Sequence, residues 1–252
     1  MRGSTFFMII CIAVGFSAAA SDQPAPSRDE IETAKGPLVI QPVEHATFVM
    51  TWNGMTIVVD PVGGAAAFAD HPQPDLVLIT HTHGDHLSIP TVAAIAESST
   101  PIIAPAAVAE EFPEDDRGRI SVIGNGESTE RAGVTIEAIP MYNLTEERRG
   151  FHPKGVGNGY VLTIGGKRVY IAGDTEDIPE MRALEEIDAA FVCMNLPYTM
   201  DVAAAADAVL EFKPKIVYPY HYRGKGGMSD LGEFRTLVAE DPAIDVRVLA
   251  WY

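Results

Sequence analysis

The amino-acid sequence predicts a single α/β (α+β) domain, and three observations support this fold class. Of the 252 residues, 47% are hydrophobic and 21% are charged, a balance typical of a globular protein with a large core. Strand-like and helix-like runs alternate along the chain. Two pairs of strand-like runs are joined by sequences that favour hairpin turns. Neither an internal repeat nor a change in composition divides the chain, so we expect one domain.

The first half of the domain is predicted to open with a β-hairpin. Residues 46–52 and 55–60 are strand-like, and Asn53-Gly54 between them readily adopts the positive φ angles of a tight turn. The apolar run 75–80 then fits a buried strand whose end presents a loop. The remaining elements expected in this half are strands 101–104, 120–123 and 134–139 and helices 89–97 and 106–111.

The second half is predicted to continue the same alternation. Gly165-Gly166-Lys167 indicates a hairpin between strands 160–164 and 168–172. A helix at 179–186 has proline at its first turn, where the missing N–H is tolerated. It is followed by strand 189–194, an alanine-rich helix 202–212 and strand 215–218. Polar residues repeatedly follow strand ends, so we expect a functional site at one edge of the sheets.

The first 20 residues are typical of a secretory signal peptide. Arg2 supplies a positive charge, residues 6–16 form an apolar run too short to span a bilayer, and Ala18-Ala19-Ala20 is a small-residue cleavage site. Residues 21–37 are predicted to be a flexible leader, and the domain is predicted to occupy 38–252. We therefore expect an exported protein, periplasmic or secreted, without stable membrane insertion after cleavage. An uncleaved membrane anchor is the alternative.

Charge and cysteine content limit the partners that are expected. The chain has 35 acidic and 18 basic residues and a net charge of -17, so nucleic acid would be repelled and a small-molecule substrate is favoured. Cleavage after Ala20 would leave Cys193 as the only cysteine, so the mature chain would form no internal disulfide. The sequence leaves the oligomeric state open.

A histidine and aspartate cluster directly follows the apolar run 75–80. Three of the seven histidines lie with an aspartate in the segment His81-Thr82-His83-Gly84-Asp85-His86. Imidazole nitrogen and carboxylate oxygen are ligands that zinc accepts, and the glycine permits a tight backbone path. A polar loop whose histidines cap a helix is the alternative. The cluster favours a metal site.

The spacing H-x-H-x-D-H after an apolar strand resembles the signature of the metallo-β-lactamase superfamily. Ala172-Gly173-Asp174-Thr175 resembles the strand-end aspartate of that family, and His221 stands where its last histidine ligand is expected. The resemblance covers roughly residues 38–252 and implies a four-layer αββα sandwich. It implies a first metal held by His81 and His83, a second held by Asp85, His86 and His221, and Asp174 bridging both.

One position departs from the resemblance. The superfamily supplies a further histidine for the first metal near Pro140, but this chain reads Pro140-Met141-Tyr142-Asn143 there. His152 is the only histidine between the cluster and Asp174. We expect it to be either a metal ligand or an acid or base in the cavity, and packing against Phe151 is the alternative. His45 is expected either to line the cavity or to have a structural role.

The resemblance implies a metal-dependent hydrolase with two divalent ions, for which zinc is expected and manganese or iron(II) are alternatives. Two such ions roughly 3.5–4 Å apart can activate a bridging water as hydroxide and polarise a substrate oxygen. Asp85 and Asp174 would orient that hydroxide, and Lys154, Tyr198 or His152 would stabilise the developing anion. A small ester, lactone or phosphodiester is expected as substrate. The alternatives are an exported β-lactam hydrolase and a non-catalytic envelope metal-binding protein.

Overall fold

A computed structural model describes Met1, Ala25 and residues 27–252 of the chain. The predicted signal peptide therefore lies outside the described residues except for Met1. Between residues 27 and 252, two seven-stranded sheets form the main body of the fold. No helix in this part of the chain is long and apolar enough to cross a membrane.

The first sheet has its strands in the order of the sequence. They are β1 (Asp29–Ile31), β2 (Leu38–Glu44), β3 (Thr47–Trp52), β4 (Met55–Val59), β5 (Leu76–Leu78), β6 (Ile102–Ala104) and β7 (Ile120–Val122). The first four strands pair antiparallel and the rest parallel. The parallel strands need crossover connections, in which α1 (Ile89–Ile95) and α2 (Ala106–Glu111) lie. Asn53 and Gly54 have φ of 49° and 81°, which confirms the predicted hairpin turn.

The second sheet repeats this arrangement. Its strands are β8 (Ser128–Arg131), β9 (Val134–Met141), β10 (Gly157–Ile164), β11 (Lys167–Ile171), β12 (Ala189–Cys193), β13 (Ile216–Tyr220) and β16 (Asp245–Val246). Strands β8 to β11 pair antiparallel, and β11, β12, β13 and β16 pair parallel. The helices of this half are α3 (Pro179–Arg182), α4 (Val202–Phe212) and α5 (Leu231–Val238). Strands β14 (Arg223–Gly224) and β15 (Gly227–Met228) form a small separate hairpin.

The core lies between the two sheets and under the helices. Alternate residues of a strand point to opposite faces, so Leu78 of β5 joins the cluster between the sheets while Val77 packs with Val92 of α1. Phe48 of β3 stacks on Phe191 of β12, with ring centroids 4.4 Å apart, and links the two sheets. The predicted αββα sandwich is confirmed.

Most predicted boundaries shift by a few residues, and two of the differences have a clear structural reason. Strand β1 lies inside residues 21–37, where the sequence predicted a flexible leader. Ile31 is 5% exposed in the main core, and the Asp29 carboxylate accepts a hydrogen bond from the Tyr218 hydroxyl at 2.7 Å, so this segment is bound to the domain. The helix predicted at 179–186 ends at Arg182, because the chain then turns, with φ of 56° at Glu186, to enter β12.

Candidate metal centre

Six of the seven histidines meet at one end of the sandwich, beyond the ends of several strands. They are His45, His81, His83, His86, His152 and His221, and together with Asp85 and Asp174 they form three overlapping groups of close ligand atoms. The seventh, His71, belongs to none of these groups. The expectation that polar residues at strand ends converge is met by these positions.

The first group contains His81, His83, His152 and Asp174. Each of these residues offers a ligand atom, and all of these atoms lie within 4.8 Å of one another. The His152 Nε2 atom is 3.3 Å from Nδ1 of His83 and 3.3 Å from Oδ2 of Asp174. Four donors at these separations could surround a single ion.

His152 reaches this group through the loop between β9 and β10. The backbone N–H of Asn143 donates to the His152 carbonyl at 2.9 Å, which folds the loop back toward the end of β9. His152 is 2% exposed and lies among the site histidines, whereas the Phe151 ring packs edge-on against Tyr198, 5.3 Å away. The alternative of a loop histidine packed on Phe151 is therefore wrong. The structure brings His152 to the group from which a histidine near Pro140 is missing.

The second group contains His86, Asp174 and His221. The Oδ1 atom of Asp174 is 3.4 Å from Nε2 of His86 and 3.3 Å from Nε2 of His221. The third group contains His45, Asp85 and His221, with Oδ2 of Asp85 3.4 Å from Nε2 of His221 and 3.6 Å from Nε2 of His45. Because Oδ2 of Asp174 faces the first group, its two oxygens face two different sets of histidines.

Several buried ligand atoms at this site lack a hydrogen-bond partner. Among the described residues, these include Nε2 of His81, Nε2 of His86 and Oδ1 of Asp174. Leaving buried polar atoms unsatisfied costs free energy, so native structures rarely do so without a reason. Nitrogen and carboxylate oxygen donors suit zinc and related divalent ions. The residues present therefore fit a divalent metal, which would satisfy these atoms.

Asp60 orients one of these histidines, a role that the sequence did not reveal. Its carboxylate is fully buried and lies 2.8 Å from Nδ1 of His86, while it also accepts hydrogen bonds from the Thr80 N–H and hydroxyl at 2.7 and 2.8 Å. In the neutral imidazole the carboxylate keeps the proton on Nδ1, so Nε2 then presents its lone pair to the site. The available signal was an aspartate placed directly after the apolar run of β4.

Backbone strain also concentrates here. His45, Asp60 and His221 have positive φ angles of 57°, 46° and 45°, a region that non-glycine residues seldom occupy. Such strain persists only where the surrounding structure holds it, and it is frequent at functional sites. These three residues are held by contacts within the cluster, including the hydrogen bond from the His221 N–H to the His45 carbonyl at 3.2 Å.

The charges of the cluster are strongly coupled. Burial, with the nearby His86 ring, holds the pKa of His81 well below its usual value. The pKa of His86 is instead well above its usual value. Burial alone would lower this pKa, but the attraction of the Asp174 and Asp60 carboxylates is larger and raises it. Burial, with His221, lowers the pKa of His45 to about 4. Ligand histidines must be neutral to bind a metal, so metal binding at this cluster would displace protons.

A cavity of about 430 Å³ opens onto the cluster. Small-molecule sites commonly have volumes of about 300–1,000 Å³. The residues that line the cavity include Tyr198, His45 and Asn195. Lys154 does not fit its predicted role in anion stabilisation, because its ammonium pairs with Glu180 at 2.7 Å and lies outside the cavity lining.

Comparison with known proteins also indicates a metal-binding site. The sequence profile of the Beta-lactamase superfamily domain matches residues 39–221. A UPF0173 metal-dependent hydrolase of Pyrococcus abyssi is 33% identical over 213 residues, which cover 80% of this chain and 92% of that protein. A crystal structure from Parabacteroides distasonis, described as a metal-dependent hydrolase, has a TM-score of 0.79 at 41% identity and covers 88% of this chain and 97% of its own.

A more distant structure shares the fold. Igni18, a metallo hydrolase from Ignicoccus hospitalis, has a TM-score of 0.68 at 23% identity, covering 83% of this chain and 94% of its own. The profile match spans both sheets and extends from β2 to His221. The chain therefore belongs to the metallo-β-lactamase superfamily, and it is a metal-dependent hydrolase.

Proposed function

We propose that this hydrolase holds two divalent metal ions, with zinc as the favoured ion, and hydrolyses a small ester, lactone or phosphodiester-type substrate. The observation that carries the proposal is the position of Asp174. It presents Oδ2 to the first histidine group and Oδ1 to the second. In this assignment Asp174 would offer one carboxylate oxygen to each ion. His81, His83 and His152 would hold the first ion, and Asp85, His86 and His221 would hold the second.

The roles of the protein groups follow from their positions. Ions bound there would lower the pKa of a water molecule and polarise a carbonyl or phosphoryl oxygen. Asp174 and Asp85 both line the cavity, so their carboxylates can orient an attacking water and accept its proton. Tyr198 lines the wall of the cavity, where its hydroxyl can donate to the developing anion. His152 acts here as a ligand, because its Nε2 faces both His83 and Asp174.

Metal content and turnover test the proposal together. The purified protein is expected to hold about two metal equivalents per chain, measured by elemental analysis, and chelation is expected to abolish hydrolysis in a panel of lactone, phosphodiester and cephalosporin substrates. His81→Ala should lower metal content and activity, whereas His71→Ala, outside the ligand groups, should change neither. The proposal would be contradicted if protein prepared in the presence of excess metal retained none. It would also be contradicted if hydrolysis survived chelation.

We also propose that the protein is exported, to the periplasm or beyond. The proposal is supported by Arg2, the apolar run 6–16 and the small residues before Ser21. Cleavage after Ala20 is expected to produce an envelope or secreted form that begins at Ser21, as read by N-terminal sequencing. A soluble cytoplasmic pool that retains Met1 would contradict export.

A further inference from the structure

The β14–β15 hairpin places two cations at the cavity. Arg223 and Lys225 both line it, and both residues are exposed. Among residues 27–252, no carboxylate lies within 4.0 Å of the Arg223 guanidinium or the Lys225 ammonium. By contrast, the single guanidinium of Arg182 contacts three carboxylates. Acidic residues outnumber basic ones by 35 to 18, yet these two cations have no carboxylate partner in the part of the chain that the structure describes, so they are available for a ligand.

Contacts hold the backbone of the hairpin and the Arg223 side chain in a defined position. The Lys225 N–H donates to the Leu196 carbonyl at 3.1 Å, and the Arg223 N–H donates to the Tyr252 hydroxyl at 3.3 Å. The Arg223 guanidinium lies 4.7 Å from the centre of the Tyr252 ring. At Gly224 an added Cβ would overlap the Leu196 carbonyl oxygen, so only glycine allows the hairpin to approach this closely. A preorganised group loses less entropy when it binds a ligand.

Another part of the cavity lining is aromatic. Phe151 and Tyr198 pack edge to face with their centroids 5.3 Å apart, and Phe151 remains 39% exposed. An exposed phenyl ring at a cavity provides apolar contact area for a ligand. The cavity therefore combines a cationic part, an aromatic part and the ligand groups of the metal centre, represented in the lining by Asp85 and Asp174.

We propose that the substrate carries an anionic group, a carboxylate or a phosphate, that binds Arg223 and Lys225, and an apolar group that lies against Phe151. Guanidinium and ammonium groups form strong charge-assisted hydrogen bonds with both kinds of anion. The net charge of -17 repels anions at long range, so this preference comes from the local pair and not from the overall field. The hydrolysable bond then lies at the metal centre. This inference rests on the proposed hydrolytic function and names its substrate class.

Three probes with the same ring test it without requiring turnover. Benzoate and phenylphosphonate are anionic, whereas benzamide is neutral, and the affinity of each for the metal-loaded protein can be measured by isothermal titration calorimetry. The anions are expected to bind more tightly than benzamide. The Arg223→Gln/Lys225→Gln double variant should lose about tenfold in affinity for the anions and none for benzamide. The anion whose affinity falls more in the double variant identifies a carboxylate or a phosphonate as the group that the two cations prefer.

Two matched controls separate local from general effects. Lys35→Gln/Arg235→Gln removes the same two charges from residues outside the cavity lining, so anion affinity should be unchanged. Gly224→Ala should weaken anion binding by displacing the hairpin, whereas Gly226→Ala, where an added Cβ meets nothing within 4 Å, should not.

The outcomes are decisive in both directions. Anions that bind no better than benzamide, equal anion affinity in the wild type and the Arg223→Gln/Lys225→Gln variant, or an equal loss in the remote double variant would each overturn the inference. Because the readout is binding, it is independent of whether the protein hydrolyses any substrate in the panel. A failure of the hydrolytic proposal would appear as absent metal or as metal-independent turnover, and so the two failures are distinguishable.

Discussion

Asp60→Asn should prevent His86 from binding a metal ion, although Asp60 is not itself in a ligand group. The substitution keeps the size of the side chain but replaces one carboxylate oxygen with an NH₂ group. The oxygen that remains can still accept from the Thr80 N–H, which places the new donor toward Nδ1 of His86. His86 would then accept on Nδ1 and carry its proton on Nε2, the atom that faces Asp174. In that tautomer it cannot bind a metal ion.

The size of the effect follows from the hydrogen bond that the substitution removes. One hydrogen bond to a charged acceptor contributes about 1.5–3 kcal/mol, and loss of a group that orients a metal ligand lowers metal affinity or activity by about 10–100-fold. Tenfold corresponds to about 1.4 kcal/mol, so the two magnitudes agree. We expect the affinity for the second ion to fall by about 10–100-fold. The affinity for the first ion should not change, so the first ion is then bound more tightly than the second.

Metal competition with a chromogenic chelator measures this change, with turnover read in parallel. Asp188→Asn is the matched control, because Asp188 is also a buried carboxylate, pairs with Lys215 at 2.9 Å, and lies at the opposite end of β12 from the site. The Asp188→Asn substitution should lower the free energy of unfolding but leave the metal affinity unchanged. Equal metal affinity in wild type and Asp60→Asn would refute the proposed orientation of His86.

Four further predictions concern the site and the core. His152→Ala should lower both metal content and turnover, as Asp174→Ala should; unchanged metal with kcat reduced by about 10²–10⁴-fold would instead indicate an acid or base. Burial raises the pKa of Cys193 to about 12, so a thiol reagent should not label it in the folded protein. After denaturation the same reagent should count one thiol in the cleaved chain, against two in a chain that retains Cys11. Phe191→Ala should cost about 3–5 kcal/mol in denaturant unfolding, and a loss below about 1 kcal/mol would show that the contact with Phe48 matters little.

The elements predicted correctly are those whose signals are local. Asn53-Gly54 imposes its own turn geometry, and the alanine-rich helix 202–212 matches α4 at both ends. Strand β2 was missed because Pro42 interrupts its strand pattern, and β1 because its pairing with β2 depends on tertiary contacts. Helix α5 was also missed, although Asp230 and Glu233 provide a capping pattern, with the Asp230 carboxylate accepting from the Glu233 N–H at 2.9 Å.

The site divides in the same way. His81 to His86 form one contiguous motif, so their proximity is already present in the sequence. The position of His152 depends on how the long loop after β9 folds back, and no periodic pattern encodes such a path. Arg223 reaches the cavity because its hairpin packs on the Leu196 carbonyl, an approach that exists only after both segments have folded.

The distribution of ligands over the two sheets has a consequence for stability. His81 follows β5 of the first sheet, whereas His152 and His221 follow strands of the second, so each bound ion would join one layer of the sandwich to the other. Cys193 is the one cysteine between residues 27 and 252, and the metal would therefore act as the cross-link that a disulfide supplies elsewhere. A ligand that binds only the folded state at 100 times its Kd adds about 2.7 kcal/mol of stability. The resistance of this protein to unfolding would thus rise and fall with the free metal concentration around it.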